Sequence, residues 1–419
     1  MGLGLIARRL GAALTYRDYR VLWIGALVSS IGTWMQKVAQ SWLVLTLTNS
    51  PFFLGLDAFL GEAPLLMFTL LGGVAADRYE RRRVLLASQV VQMASAFTLA
   101  VLVFVGVVRI WHILALSFIT GTAQAFGGPA YQSLLPTLVR TEHVPNSVAL
   151  NSIQFHLARI IGPLAAGVAM ATSGASVCFS LNGLSFLVVI GSLLSLRPMP
   201  PAASVTRSVA TELGQGLRFI RSRPDIRALM FLAFCTALLG APVLTLLPVM
   251  VKDVFHQDVG GYSRLMAFSA AGGVLGAMAV AWLGRFAHME RTAMALQTGL
   301  GTMLIAFALS RSLPVSYGVL FIGSFALLMS FALLNSCVQL AVPNDMRGRA
   351  LSVYMMAFRG GMPLGSLGAG YVAQQSSAPA ALVSTGVLLV VVVGVFAWRG
   401  PQIWMALGSA PQGADPHTQ

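Results

Sequence analysis

The sequence is poor in charged residues. Asp, Glu, Lys and Arg make up only 10% of its 419 residues, whereas a soluble globular domain carries about 25%. Hydrophobic residues make up 57%, and the mean hydropathy is +0.79. So little charge cannot cover a surface for water. The composition therefore excludes an ordinary soluble protein and predicts a chain that lies mostly within a membrane.

Lysine and the common catalytic motifs are also scarce. The only lysines are Lys37 and Lys252, and neither follows a glycine, so the chain has no phosphate-binding P-loop. It contains no His-Glu-x-x-His and no Gly-x-Ser-x-Gly. These absences argue against an enzyme and against ATP hydrolysis. We therefore expect no cofactor, and we expect an ion gradient to supply the energy.

Cysteine is limited to Cys178, Cys235 and Cys337. The number is odd, the residues are scattered through apolar runs, and their spacing is not that of metal ligands. The sequence therefore predicts neither a disulfide framework nor a metal site.

Long apolar runs are abundant. A helix needs about 20 apolar residues to cross a bilayer, and the sequence offers twelve candidates for such a span. They lie at 20–47, 51–76, 84–107, 111–138, 147–170, 175–196, 227–252, 262–284, 291–311, 314–341, 350–373 and 379–399.

The net charge of +14 follows the predicted topology. If the N-terminus lies in the cytoplasm, most basic residues fall in cytoplasmic segments, and only Arg109, Lys252, Arg264 and Arg311 fall on the opposite side. This bias is the positive-inside rule, and it predicts that both termini are cytoplasmic. We therefore expect no nucleic-acid partner. The basic N-terminus lacks a short apolar core with a cleavage site, which argues against a cleaved signal peptide.

The chain divides into two halves. We predict an N-terminal six-helix bundle at 1–196, a cytoplasmic linker with an amphipathic helix at 197–226, a C-terminal six-helix bundle at 227–399 and a disordered tail at 400–419. We expect the basic linker helix to lie along an anionic membrane surface. The halves repeat: the pattern Ser152, Arg159, Pro163, Leu164 returns 200 residues later as Ser352, Arg359, Pro363, Leu364. Repeated halves are typical of transporters whose substrate site lies between them near the midplane.

Ionisable residues inside the spans are candidates for function, because isolated charge at the bilayer centre costs at least about 2.5–3.5 kcal/mol. They are Lys37, Asp57, Glu62, Arg159 and Arg359. Lys37 lies twelve residues before Asn49, and Glu62 lies thirteen residues after it. If a turn centres on Asn49, the two side chains meet at one depth on adjacent helices. We therefore predict a Lys37–Glu62 ion pair, with Asp57 nearer the outside.

Polar residues also mark the helix faces that we expect to line a cavity. Our candidates for substrate contacts are Thr33, Gln36, Gln40, Gln154, His156, Arg159, Arg359 and Asn335. For His156 two interpretations stay open, a proton relay or a polar residue with its hydrogen bonds satisfied.

Two motifs resemble those of a known superfamily. The segment Gly73-x-x-x-Asp77-Arg78-x-x-Arg81-Arg82 is similar to the loop signature of major facilitator superfamily transporters. Gly162-Pro163-x-x-x-Gly167 is similar to the motif of their exporters. Tyr16-Arg17-Asp18-Tyr19-Arg20 resembles a bacterial subfamily of enterobactin and macrolide exporters. The second half departs from the pattern, since Gly284-Arg285-Phe286-Ala287-His288 lacks the aspartate of the loop signature.

The resemblance implies an all-α membrane protein with twelve transmembrane helices in two pseudo-symmetric six-helix bundles. It also implies that Gly73, Asp77, Arg78, Arg81 and Arg82 form a latch that holds the halves together in the outward-open state. In this interpretation Asp77 accepts from a ring of guanidiniums. A plain topogenic charge cluster is the alternative.

Together these features predict a secondary active transporter in the bacterial cytoplasmic (inner) membrane. We expect a proton-coupled exporter of a small amphipathic molecule, siderophore or drug-like, that acts as a monomer among membrane lipids. Glu62 and Asp57, with Lys37, are the candidates for coupling. A permanent Lys37–Glu62 pair that only holds two spans together is the structural alternative. A lipid or lysolipid transporter, a scramblase, a receptor and an importer are the alternatives for the whole chain.

Overall fold

The computed structural model describes residues 11–197, 209–343 and 346–399, and it contains no β-strand among them. The predicted all-α class is confirmed. The predicted tail at 400–419 lies outside the described residues. We number the α-helices in chain order: α1 Arg17–Thr48, α2 Pro51–Arg78, α3 Arg81–Phe104, α4 Ile110–Leu134, α5 Val144–Ser173, α6 Ala175–Ser195, α7 Val209–Ser222, α8 Pro224–Gly240, α9 Pro242–Val249, α10 Val259–Leu283, α11 Met289–Leu309, α12 Leu313–Ala341, α13 Arg347–Gln375 and α14 Ala378–Arg399.

Local sequence explains the sharp turns between these helices. Asn49 ends α1 in the left-handed conformation with φ 48°, which a short polar side chain tolerates. Pro51 then occupies the first turn of α2, where its missing N–H costs nothing. Asp258 caps α10 by accepting hydrogen bonds from the amides of Gly260 and Gly261 at 3.0 and 3.2 Å. These turns fix the antiparallel order of the helices.

Nine helical segments of the described chain are long and apolar enough to cross a membrane. Three further helices of similar length, α1, α4 and α13, are outside this set. Polar side chains lower the hydropathy of two of them: α1 carries Gln36, Lys37 and Gln40, and α13 carries Arg359. The nine apolar segments make the chain a multi-pass membrane protein.

The predicted span at 227–252 lies within one membrane-length helical segment, Pro224–Val254, which is irregular in its middle. Helix α8 ends at Gly240, and α9 begins at Pro242, because a proline nitrogen has no hydrogen to donate to the preceding turn. The segment continues as wide π-type turns at Met250–Val254. The span is thus an interrupted helix.

The helices pack in two groups, and equivalent helices make equivalent contacts in each group. Helix α5 packs against α1 in the first group, and α13 packs against α8 in the second. Two seams join the groups, one between α2 and α13 and the other between α5 and α10. This arrangement explains the repeat in sequence, because α5 and α13 hold equivalent places.

We call the end of the bundle that holds the α2–α3 turn and α7 the linker face, and the opposite end the distal face. Hydrogen bonds between the halves lie at the distal face. Lys252 Nζ donates to Asn49 Oδ1 at 2.8 Å, and Ser50 Oγ donates to Gln374 Oε1 at 2.6 Å. These two contacts hold the halves together at the distal face.

The linker helix α7 packs against α13 and α8. Ile220 is buried, and a Cβ added to Gly216 would lie 3.0 Å from the Arg349 carbonyl oxygen. Next to it, Arg223 Nη2 donates to Asp225 Oδ2 at 2.6 Å, which raises the pKa of the Arg223 guanidinium. One face of α7 thus contacts protein, while its contact with a membrane surface stays a prediction.

Candidate functional site

Lys37 of α1 and Glu62 of α2 form an ion pair between these two helices. Lys37 Nζ lies 3.5 Å from Glu62 Oε1, which confirms the contact predicted from their equal depth. The two side chains are 53% and 47% exposed although both helices are long and mostly apolar. An exposed ion pair contributes about 0–1 kcal/mol, so its partners can separate at low cost. The role of the pair in coupling stays a prediction.

Asp57 lies one and a half turns away on α2 and is buried. Its carboxylate accepts hydrogen bonds from Gln40 Nε2 at 3.0 and 2.9 Å and from Ser117 Oγ at 2.5 Å. Its contacts on α1 and α4 are therefore neutral amide and hydroxyl groups. Both partners also carry acceptor oxygens, so a protonated Asp57 can donate to the same groups. Ser117 was not among the predicted site residues, because it is one of several hydroxyl residues of α4 and nothing in the sequence distinguishes it from Thr120 or Thr122.

Arg159 and Trp34 form the third element of the site. The Arg159 Cζ lies 5.6 Å from the centroid of the Trp34 ring, and Lys37 Nζ lies 5.1 Å from it. A Cβ added to Gly273 of α10 would lie 3.7 Å from Arg159 Nη1. The guanidinium therefore reaches the seam between the halves.

The glycines of the exporter-type motif hold α5 close to its neighbours. A Cβ added to Gly162 would lie 2.5 Å from the Trp34 Cβ, and one added to Gly167 would lie 2.9 Å from Ser263 of α10. Pro163 is buried between them. The motif thus lets α5 pack closely against α1 on one side and against α10 of the other half on the opposite side.

Other predicted cavity residues on α1 and α5 are used within one half. Gln36 Oε1 accepts from Asn182 Nδ2 of α6 at 2.6 Å, and Thr33 donates to the Ser29 carbonyl oxygen of its own helix at 2.9 Å. Gln154 is a correction, because it is buried and donates to Ser30 Oγ at 2.7 Å. It ties α5 to α1 and does not face the space between the halves.

Three polar candidates are less engaged. His156 is half-buried, and its Nδ1 has no hydrogen-bond partner among the described residues. Asn335 accepts from Gln339 Nε2 at 2.9 Å on the same helix. Arg359 is exposed and forms no ion pair within the described part of the chain.

The predicted latch with Asp77 as acceptor concerns the outward-open state and stays a prediction. Asp77 and Arg78 are exposed and make no ion pair among the described residues. Arg81 Nη1 donates to the Ser133 carbonyl oxygen at 3.0 Å, and Arg82 Nη2 donates to that of Leu194 at 2.9 Å. These carbonyls lie at the C-terminal ends of α4 and α6, where free acceptors attract cations.

No metal site emerges from the geometry, since no group of three His, Cys, Asp or Glu residues clusters within ranges 11–197, 209–343 and 346–399. The three cysteines are free. The side-chain groups that the site offers to a bound molecule are carboxylate, amide, ammonium, guanidinium and aromatic groups.

Two equivalent groups of membrane-length helices that carry charged residues at membrane depth (Lys37, Asp57, Glu62 and Arg159) are typical of a membrane transporter. Residues 11–406 match the family described as transmembrane secretion effector, so the chain belongs to this family of the major facilitator superfamily. It is 29% identical to the multidrug efflux pump Tap of Mycolicibacterium fortuitum over 391 residues, which cover 88% of this chain and 93% of Tap. It is 25% identical to the enterobactin exporter EntS of Citrobacter koseri, over 91% of this chain and 92% of EntS.

The fold is similar to that of a solved transporter. A bacterial homologue of the human lysosomal transporter Spinster, in its inward-facing and occupied conformation, superimposes with a TM-score of 0.76 at 14% identity. The match covers 94% of this chain and 99% of that one. At this identity the likeness concerns the fold alone.

Proposed function

We propose that the protein is a proton-coupled exporter of a small amphipathic molecule, siderophore or drug-like. The observation that carries this proposal is the pair of carboxylates on α2, one buried among neutral donors and one paired with a lysine. Family membership and the similarity to Tap and EntS support the direction of transport and the substrate range.

Asp57 and Glu62 are the proposed proton carriers. When Glu62 takes up a proton, its attraction to Lys37 is lost and the two helices can shift. When Asp57 takes up a proton, it changes from acceptor to donor toward Gln40 or Ser117 and so rearranges the contact of α1, α2 and α4. Alternating access follows if the protonated and deprotonated forms favour different packings of the halves.

The proposed setting is the bacterial cytoplasmic membrane, with a monomer that has both termini in the cytoplasm. The arginine bias supports this orientation. It places the linker face inside the cell and the distal face outside. The contact between the halves at the distal face then corresponds to a state in which the site is reached from the cytoplasm, where an exporter loads its substrate.

The substrate must be identified before coupling is measured. Metabolites of cells with and without the gene should be compared in iron-poor and iron-rich medium, together with a panel of amphipathic drugs. Purified protein in proteoliposomes should then export the substrate only when a pH gradient is imposed. Lipid exchange without a gradient would instead identify a scramblase.

Substitution of the carboxylates tests their role. Asp57→Asn combined with Glu62→Gln should abolish gradient-driven export while substrate counterflow continues, because counterflow needs no net proton movement. Asp253→Asn is the matched control, since Asp253 is an exposed acid at the distal end without an ion pair among the described residues. Gradient-driven export by the double variant would exclude carboxylate coupling.

A further inference from the structure

Arg159 is a charged group without a carboxylate partner. No ion pair joins it to a described acid, and the two acids at its depth are engaged elsewhere: Glu62 with Lys37, and Asp57 with Gln40 and Ser117. An unpaired guanidinium within a membrane bundle is costly. The site therefore has a permanent deficit of negative charge at Arg159.

An aromatic ring, Trp34, lies close to both this guanidinium and the Lys37 ammonium. Both cations lie within 6 Å of the Trp34 centroid, at 5.6 and 5.1 Å. Phe155 meets the same ring edge-on with a centroid distance of 6.0 Å. Gly162 fixes the position of Trp34 because any larger residue there would displace its Cβ.

This combination matches one kind of ligand group. A negatively charged oxygen pair can accept from the Arg159 guanidinium in bidentate form and from the Lys37 ammonium. A ring attached to it can stack, offset or edge-on, against Trp34. A cationic or neutral ligand gains only the ring contact.

We propose that Trp34, Lys37 and Arg159 form a subsite for an anionic aromatic group of the transported molecule. This inference rests on the proposed function, since it names the substrate chemistry of the same site.

The test is equilibrium binding of small fluorinated probes to the full-length protein in detergent. Binding is measured from the fluorine NMR relaxation of each probe. Para-fluorobenzoate carries both the ring and the charge, para-fluorobenzamide keeps the ring without the charge, and 4-fluorocyclohexanecarboxylate keeps the charge without the aromatic ring. We expect the benzoate to bind at least about tenfold more tightly than either of the others. This comparison needs no substitution.

Variants assign the binding to the subsite. Arg159→Gln and Trp34→Leu should each weaken benzoate binding about tenfold, and Trp34→Phe should restore most of it. Arg264→Gln is the matched control, because Arg264 is exposed near the start of α10 and, within the described residues, lies over no aromatic ring. It removes the same charge but should leave binding nearly unchanged.

Three results would overturn the proposal: equal affinity for the benzoate and the benzamide, no binding of the benzoate, or equal losses in Arg159→Gln and Arg264→Gln. Size-exclusion profiles identify a variant that does not fold, and the probe comparison in the unaltered protein then decides. Asp57→Asn should bind the benzoate normally. Failure of proton coupling and failure of this subsite are therefore separate outcomes.

Discussion

Asp57 and Glu62 differ at the residue scale although they share one helix. Asp57 is buried and hydrogen-bonded to neutral groups, whereas Glu62 is half-exposed and faces a cation. Counting residues from the turn at Asn49 predicted the Lys37–Glu62 contact because both helices are regular between those points. The partner Ser117 was not predictable in this way, since its position depends on how α4 packs against α2.

The contact between Gly162 and Trp34 gives a prediction about stability. Gly162→Ala places a methyl group 2.5 Å from the Trp34 Cβ and 2.8 Å from the Ile31 carbonyl oxygen. The overlap must separate α5 from α1, and overpacking of this kind costs about 1–3 kcal/mol. We expect a lower midpoint of thermal unfolding in detergent and weaker substrate binding.

Gly191→Ala is the control for this substitution. It lies in α6 of the same half, and an added Cβ there meets nothing within 4 Å. Its helix propensity favours alanine by up to about 1 kcal/mol. Equal midpoints for the two variants would show that the α1–α5 contact tolerates a methyl group.

At the scale of elements, the charged residues at the α2–α3 turn fall into two groups with different contacts. Arg81 and Arg82 bind the carbonyl ends of α4 and α6, which fixes the turn to its own half. Asp77 and Arg78 remain exposed at the linker face, with no ion pair in the described ranges. Sequence similarity identified the cluster, but it did not separate these groups, because the state of the bundle decides which charges meet.

Asp77→Asn tests whether this exposed pair is a latch. The variant should insert normally but transport more slowly, with fewer molecules in the state that opens at the distal face, because that state needs Asp77 as acceptor. Transport rates in proteoliposomes and spin-label distances across the distal face measure both effects.

The matched control is Glu80→Gln. Glu80 pairs with Arg83 in the same turn at 2.7 Å and joins no second element through this contact. Unchanged rates for Asp77→Asn, or equal slowing by Glu80→Gln, would reduce the cluster to a topology signal.

The interrupted span α8–α9 marks a limit of sequence reasoning about elements. Hydropathy alone predicts one helix over 227–252, and the segment is indeed apolar and mostly buried. Pro242 and Pro248 both lie within it, but a proline bends some membrane helices and ends others. Gln154 shows the same limit for a side chain, since its polar character within an apolar span made it a cavity candidate, whereas packing buries it against α1.

At the scale of the whole molecule, the two seams carry the contact between the halves. Each seam uses small residues: Gly55 and Gly370 meet where α2 crosses α13, and Gly167 meets Ser263 where α5 crosses α10. Close approach of backbones at small residues is typical of helix packing in membranes. The sequence repeat predicted two equivalent groups, but not at which end hydrogen bonds would join them.

Reporter fusions test the orientation of the bundle. A reporter after Arg83 or near Arg218 should be cytoplasmic, and one near Arg109 or Asp258 should be external, because of the arginine bias. Alkaline phosphatase and fluorescent-protein fusions at the same positions check each other. A cytoplasmic signal near Asp258 would contradict the twelve-span arrangement.

A cross-link at the distal face tests alternating access. Ser50→Cys with Gln374→Cys, in a background without the three native cysteines, places two thiols where a hydrogen bond of 2.6 Å now joins the halves. A short bis(methanethiosulfonate) cross-linker joins the two thiols through disulfides, so it should stop transport, and reduction should restore it. Ser50→Cys alone should be insensitive to the reagent, and full transport by the cross-linked protein would exclude opening at this face.

Because the chain has only two lysines, the reactivity of each one can report on the conformation around it. Its two side-chain amines sit at the two places that must change during a transport cycle: Lys37 beside Glu62 in the interior, and Lys252 bridging to Asn49 at the distal end. An acylating reagent therefore reads the working parts of the protein without any engineered label. The mass of each modified peptide shows whether Lys252 at the distal face or Lys37 in the interior has become accessible to the reagent.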